Sequence, residues 1–174
     1  MIKFSLFKST LKQGLIMGLG FCLYTTTMWL TKLDTIYLNF GQYLDMAIIV
    51  LPIAMIFWAI RQENNAYQVT IVQRIVIAIF VGTISFLIYD PFLYTYHHYI
   101  NPDWFTAVLN LKEVELKAAN ISEDKIIDTL QRMKASNVAQ SGLFRLSAIV
   151  PSVLIIPTLI ALISIIFIRG KGKR

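Results

Sequence analysis

LSAIVPSVLIIPTLIALISIIFI, residues 146–168, runs without a single charged side chain. A helix of about 20 apolar residues covers a hydrocarbon core ~30 Å thick, and this run exceeds that length. It reads as a membrane-crossing helix. A second uncharged run fills residues 13–31, between Lys12 and Lys32. Two shorter ones, residues 46–60 and 75–89, reach crossing length only with their flanks, which puts Asp45 and Arg61 near the interfaces and leaves Arg74 to snorkel. The expected spans are residues 13–31, 44–61, 72–96 and 144–168. Composition agrees: the 174-residue chain is 56% hydrophobic with a mean hydropathy of +0.63, too apolar for an ordinary soluble domain. The predicted fold class is all-α, a single polytopic membrane domain of four transmembrane helices. A helical extracytoplasmic insertion, at about residues 101–142, separates the third from the fourth.

Charge sets the expected orientation. Lys3, Lys8 and Lys12 precede the first span, Arg61 and Arg74 flank the second loop, and Arg169, Lys171, Lys173 and Arg174 close the sequence, with Glu63 as the lone acid on that side. Cytoplasmic loops retain Lys and Arg, so both termini are expected in the cytoplasm. The same argument absorbs the net charge of +6, and the basic tail beside a span reads as a contact with anionic lipid headgroups rather than nucleic acid. Trp29-Leu30-Thr31-Lys32 lacks a small-x-small cleavage pattern, so the first apolar run reads as a retained anchor. One cysteine, Cys22, excludes an intramolecular disulfide or a multi-cysteine metal site within one chain.

Within the insertion, Asn101-Pro102-Asp103 has the residue types of a helix start, and Ser122-Glu123-Asp124 supplies another. After the second, Ile126, Leu130 and Met133 recur at helical spacing. This stripe is the candidate partner-docking face, although packing between the two helices or against the membrane surface fits the same pattern.

Small residues mark helix contacts. Gly14, Gly18, Cys22 and Thr26 recur every fourth residue on the first span, and Ala78 and Gly82 repeat the pattern on the third, which makes these two spans the expected close pair. Homodimerisation through the same strip is the alternative.

The densest chemistry lies at the end of the third span, in Asp90-Pro91-Phe92-Leu93-Tyr94-Thr95-Tyr96-His97-His98-Tyr99. A carboxylate there is costly unless it meets water or a partner. Arg145, at the same expected depth, is its predicted ion-pair partner, with Asp45 the rival acid for Arg145. On a continued helix Asp90, Tyr94, His97 and His98 share one face, a candidate metal or proton site. The plainer reading of these rings is an interfacial aromatic belt. Pro52, Pro91, Pro151 and Pro157 are expected to kink their spans. No Gly-rich phosphate loop, nucleophile elbow or zinc-protease motif is present in the sequence, so no catalytic residue, resident metal or cofactor is assigned.

The order of these features resembles the Bacteroidetes four-span family known as domain of unknown function 4199 (DUF4199). The resemblance rests on Gln73-Arg74 before the third span, Gly82 within it, the aromatic stretch from Tyr89 to Tyr99, Asn101-Pro102-Asp103, the charged helix from Ser122 to Lys134, and a proline-bearing last span with a basic tail. It covers nearly the whole chain and implies a bacterial inner-membrane protein. It implies no activity.

Three functions are carried forward. The first is a non-enzymatic accessory or scaffolding subunit that meets a membrane-protein partner or a second copy of itself through the insertion. The second is an oligomeric transporter of ions or small solutes, for which Arg74, Asp90 and Thr25 to Thr27 must face one cavity. The third is a metal- or pH-responsive sensor built on Asp90, His97 and His98.

Overall fold

The computed structural model describes residues 4–66, 68–140 and 142–168, the side chains of residues 4–9 and 138–140 excepted. Lys3 and the tail Arg169, Lys171, Lys173 and Arg174, on which the charge argument leans, lie outside the described residues. Every regular element among the described residues is helical. In chain order they are α1 (Phe4–Leu30), α2 (Leu38–Ala47), α3 (Val50–Ala66), α4 (Ile71–Thr95) with a π-helical extension (Tyr96–Ile100), α5 (Trp104–Ala118), α6 (Glu123–Gln140), α7 (Leu146–Ile149), a π-helical stretch (Val150–Ile155) and α8 (Ile156–Phe167).

Helix ends follow local chemistry. Thr70 and Gln73 form a reciprocal capping box that starts α4: Gln73 N–H donates to Thr70 Oγ1 at 3.3 Å, and Thr70 N–H donates to Gln73 Oε1 at 2.8 Å. Lys32 ends α1 in the left-handed conformation at φ 59°, with Leu33 N–H on Met28 O and its own N–H on Trp29 O. Asn120 closes α5 at φ 54° with the same two bonds, from Ile121 to Leu116 and from Asn120 to Lys117. Both are Schellman closures, which satisfy carbonyls the helix leaves open. The last helix bears Pro151 and Pro157; each lacks a backbone donor, and the intervening ladder relaxes into i→i+5 bonding, as in Ile156 N–H on Pro151 O.

Among the described residues three helical stretches are long and apolar enough to cross a membrane: Leu38–Ala66, Ile71–Ile100 and Leu146–Phe167. Four were expected. The difference lies in α1, whose 27 residues suffice in length but whose apolar content is diluted by Gln13, Gly14, Gly18, Gly20 and Thr25-Thr26-Thr27. Leu38–Ala66 is also longer than the expected span 44–61, because α2 and α3 follow each other with only Ile48 and Ile49 between.

α4 is the central rod. α1 lies along it, α8 and the preceding π-helical stretch pack on another side, and α3 touches α1, α4 and α8. Met17, Ile56, Ile60, Ile77, Val81 and Ile160 meet in the core. Gly14 and Gly18 allow the α1–α4 approach: a Cβ on Gly14 would stand 2.6 Å from Ile84 Cβ and 3.0 Å from Val81 O, and one on Gly18 would stand 3.0 Å from Ile88 Cβ. Gly82, expected to face α1, instead faces the last helix, where a Cβ would meet Pro157 Cγ at 2.8 Å. The proline ring takes the space that the missing side chain leaves.

At the end of the bundle that carries α3–α4 and the close of α8, polar side chains are buried rather than solvated. The buried Gln13 donates through Nε2 to Oε1 of the exposed Gln62 at 3.1 Å. Arg74, expected to snorkel, is only 5% exposed. Its guanidinium donates through Nη1 to Ser164 O at 3.0 Å and through Nη2 to Ile168 O at 2.7 Å. The cation therefore satisfies the last-turn carbonyls of α8 and complements the negative end of that helix.

Candidate functional site

The opposite end of the bundle, beneath the α5–α6 hairpin, gathers the candidate site. Asp90 and Arg145 both line cavities there, yet their expected ion pair is not formed. Ion pairs do form on exposed helix faces of the hairpin, Lys112–Glu115, Lys117–Glu113 and Arg132–Asp128. Asp90, 5% exposed, accepts the backbone N–H of Phe144 through Oδ2 at 2.8 Å. Phe144 sits at φ 52°, a conformation costly for a residue with a bulky side chain. The carboxylate thus pins a strained turn immediately before the last helix. Arg145 Nε is buried and has no hydrogen-bond partner. Asp45, the rival acid for Arg145, instead accepts the Tyr24 hydroxyl at 2.9 Å.

Asp90, Tyr94, His97 and His98 do border one cavity of about 200 Å3, closed by Trp104 and Phe105 of α5 and by Asn137 of α6. The two imidazoles diverge, as adjacent helical side chains must. His97 stacks on Trp104 with ring centroids 4.1 Å apart, and His98 stacks on Tyr94 at the same separation. His98 Nδ1 also donates to Tyr94 O at 2.8 Å, which fixes its ring against its own helix. No three His, Cys, Asp or Glu side chains converge on a point that could hold a metal ion among the described residues. The residues of the sensor reading share a cavity without forming a ligand set.

The aromatic residues form a ladder through the interior. Rings follow in sequence from Phe21 through Tyr89, Phe92, Tyr96, His97 and Trp104 to Phe105, with successive centroids 4.1–6.3 Å apart. These are distances at which aromatic pairs attract. The ladder joins α1, α4 and α5, while Tyr99 stays exposed as a belt residue would.

A polar cluster beside the ladder was missed in the sequence. Tyr96 Oη donates to Asp34 Oδ2, and Asn101 Nδ2 donates to Asp34 Oδ2 at 2.7 Å and to Tyr96 Oη at 2.9 Å. Asp34 Oδ1 is buried without a partner. Asn101 was expected to cap α5, but its amide is committed to this cluster and Asp103 stands at the N-cap without a side-chain cap bond. The only sequence signal was an acid in the short link between two apolar runs.

Neither the transporter cavity nor the docking stripe takes its expected form. Arg74 and Asp90 are about 24 Å apart along α4 and serve opposite ends of it. Thr26 and Thr27 hydroxyls donate to carbonyls of their own helix, and Thr25 meets Tyr89 Oη at 3.0 Å. On α6, Ile126 is 5% exposed, while Leu130 and Met133 are half-buried. α5 covers that side, because two amphipathic helices joined by the short link 119–122 bury their apolar faces on each other first. Among the described side chains, the large apolar residues left open on the hairpin are Val114, Ile121 and Ile127.

Among curated proteins and among solved structures, nothing matches this chain. One family profile does, over residues 12–169. The chain therefore belongs to the family described as protein of unknown function DUF4199.

Proposed function

We propose that this chain is a non-enzymatic accessory or scaffolding subunit of the bacterial inner membrane, with four spans, cytoplasmic termini and an extracytoplasmic α5–α6 hairpin that meets a partner. α1 is the fourth span. Leu15, Ile16, Leu19 and Leu23 are exposed on it alongside the exposed apolar faces of α3, α4 and α8, and an apolar belt of this kind belongs in lipid. The positive-inside argument then orients the bundle.

One observation carries the accessory reading over transport. The two charged side chains named for a solute route are held by fixed hydrogen bonds at opposite ends of the bundle, Arg74 on the close of α8 and Asp90 on Phe144. Such bonds brace helices against each other. A braced bundle that carries a charged hairpin suits assembly through contact.

The partner face follows the exposed residues rather than the expected stripe. Ile127→Asp is expected to leave the protein folded and to remove a stoichiometric partner from preparations made with gentle detergent from the native membrane. Ile126→Asp, which buries a charge between α5 and α6, should instead lower the unfolding temperature. A wild-type protein that purifies alone, at monomer mass, contradicts the accessory reading.

A further inference from the structure

Two cavities meet at one wall. The first is the 200 Å3 cavity beneath the hairpin, rimmed by Tyr94, His97, His98 and Trp104. The second, about 270 Å3, lies deeper among α1, α3, α4 and the last helix, and its lining is dominated by Met17, Phe21, Ile49, Ile56, Phe86 and Ile156. Asp90, Leu93 and Arg145 line both. Together they reach the size of ordinary small-molecule sites, about 300–1,000 Å3.

The wall between them carries one carboxylate and one guanidinium that do not pair with each other, and the guanidinium has an unmet donor. Asp90 Oδ2 already accepts Phe144 N–H, and Asp45 on the rim of the deeper cavity accepts from Tyr24. Arg145 Nε has no acceptor, although a buried donor left unpaired is costly and a guanidinium suits carboxylate and phosphate oxygens. The site thus offers an anion-seeking cation at the boundary, an aliphatic chamber on the membrane side and aromatic rings on the other.

We propose that this double cavity binds an amphiphile with a carboxylate or phosphate head, its head on Arg145 and one aliphatic chain in the chamber lined by Ile56, Phe86 and Ile156. The site adds a ligand to the accessory reading and does not depend on any protein partner. The head group belongs either to a free fatty acid or to a membrane phospholipid.

Trp104 borders the site and supplies the readout. In the full chain carrying Trp29→Phe and Trp58→Phe, Trp104 is the remaining tryptophan. Bromine on an aliphatic chain quenches a nearby indole. Dibromostearic acid, and separately phosphatidylglycerol with brominated chains in nanodiscs, are titrated against unbrominated lipid. Saturable quenching by the acid alone identifies a free fatty acid, and by the phospholipid a membrane lipid; either supports the site. Arg145→Gln should weaken the apparent affinity at least about tenfold, the loss of one charge-assisted hydrogen bond. Dibromostearyl alcohol, which lacks the charge, should bind weakly and be indifferent to Arg145→Gln. Ala148→Phe fills the deeper chamber without touching the cation, and should abolish saturation if Arg145→Gln fails to fold. Quenching that rises in proportion to brominated lipid, equal for acid and alcohol and unchanged in Ala148→Phe, overturns the proposal.

Discussion

Arg74→Leu should unfold or fail to accumulate, with a loss of about 3 kcal/mol or more, because two charge-assisted hydrogen bonds disappear and the carbonyls of Ser164 and Ile168 are left without that donor. The two oxygens lie one helical turn apart. A planar guanidinium reaches both through separate nitrogens, whereas an ammonium is a single point donor. Arg74→Lys is therefore expected to recover only part of the loss. Thermal unfolding in detergent, followed by helical circular dichroism, ranks the three proteins wild type, Lys, Leu. Equal stability for Lys and wild type would mean that charge alone matters and the fork geometry does not.

The second large effect belongs to Asp90. Asp90→Ala removes the acceptor that holds Phe144 N–H and frees the turn at φ 52°, and should cost about 2 kcal/mol. Asp90→Asn keeps an oxygen acceptor of nearly the same shape and should cost less than half as much. Adding Phe144→Gly to Asp90→Ala should restore part of the stability, since glycine takes the left-handed conformation without strain. If Asp90→Asn proves as damaging as Asp90→Ala, the carboxylate's charge is what matters and the latch is the wrong explanation.

The long apolar runs were legible because lipid forbids unsatisfied backbone, so an uncharged stretch of crossing length has few alternatives to a helix. Length and hydropathy said little about which side chain meets which. Arg74 shows why. A cation at the start of a span looks ready to snorkel, and only the fold reveals that α8 ends beside it with open carbonyls. Similar depth makes Asp90 and Arg145 look like a pair, yet the backbone N–H of Phe144, one residue before Arg145, holds the carboxylate. Ile126 was legible as apolar and helical, but a stripe cannot tell a partner from the neighbouring helix, and α5 is tethered close by. Gly82 and Pro157 illustrate the same limit: both are visible in the sequence, and their contact is a property of the packing. Asp34 gave the least warning, since its role depends on Tyr96 and Asn101, more than 60 residues away.

The most direct test of the account is the sidedness of single cysteines placed in a Cys22→Ser background, read with a membrane-impermeant maleimide on intact cells and on opened membranes. Lys12→Cys and Asn65→Cys should label only after the membrane is opened, Asp128→Cys should label in intact cells, and Leu19→Cys, in the middle of α1, should resist labelling in both. Labelling of Lys12→Cys in intact cells alongside Asp128→Cys, with Leu19→Cys readily modified, would place α1 outside the membrane and contradict the four-span bundle.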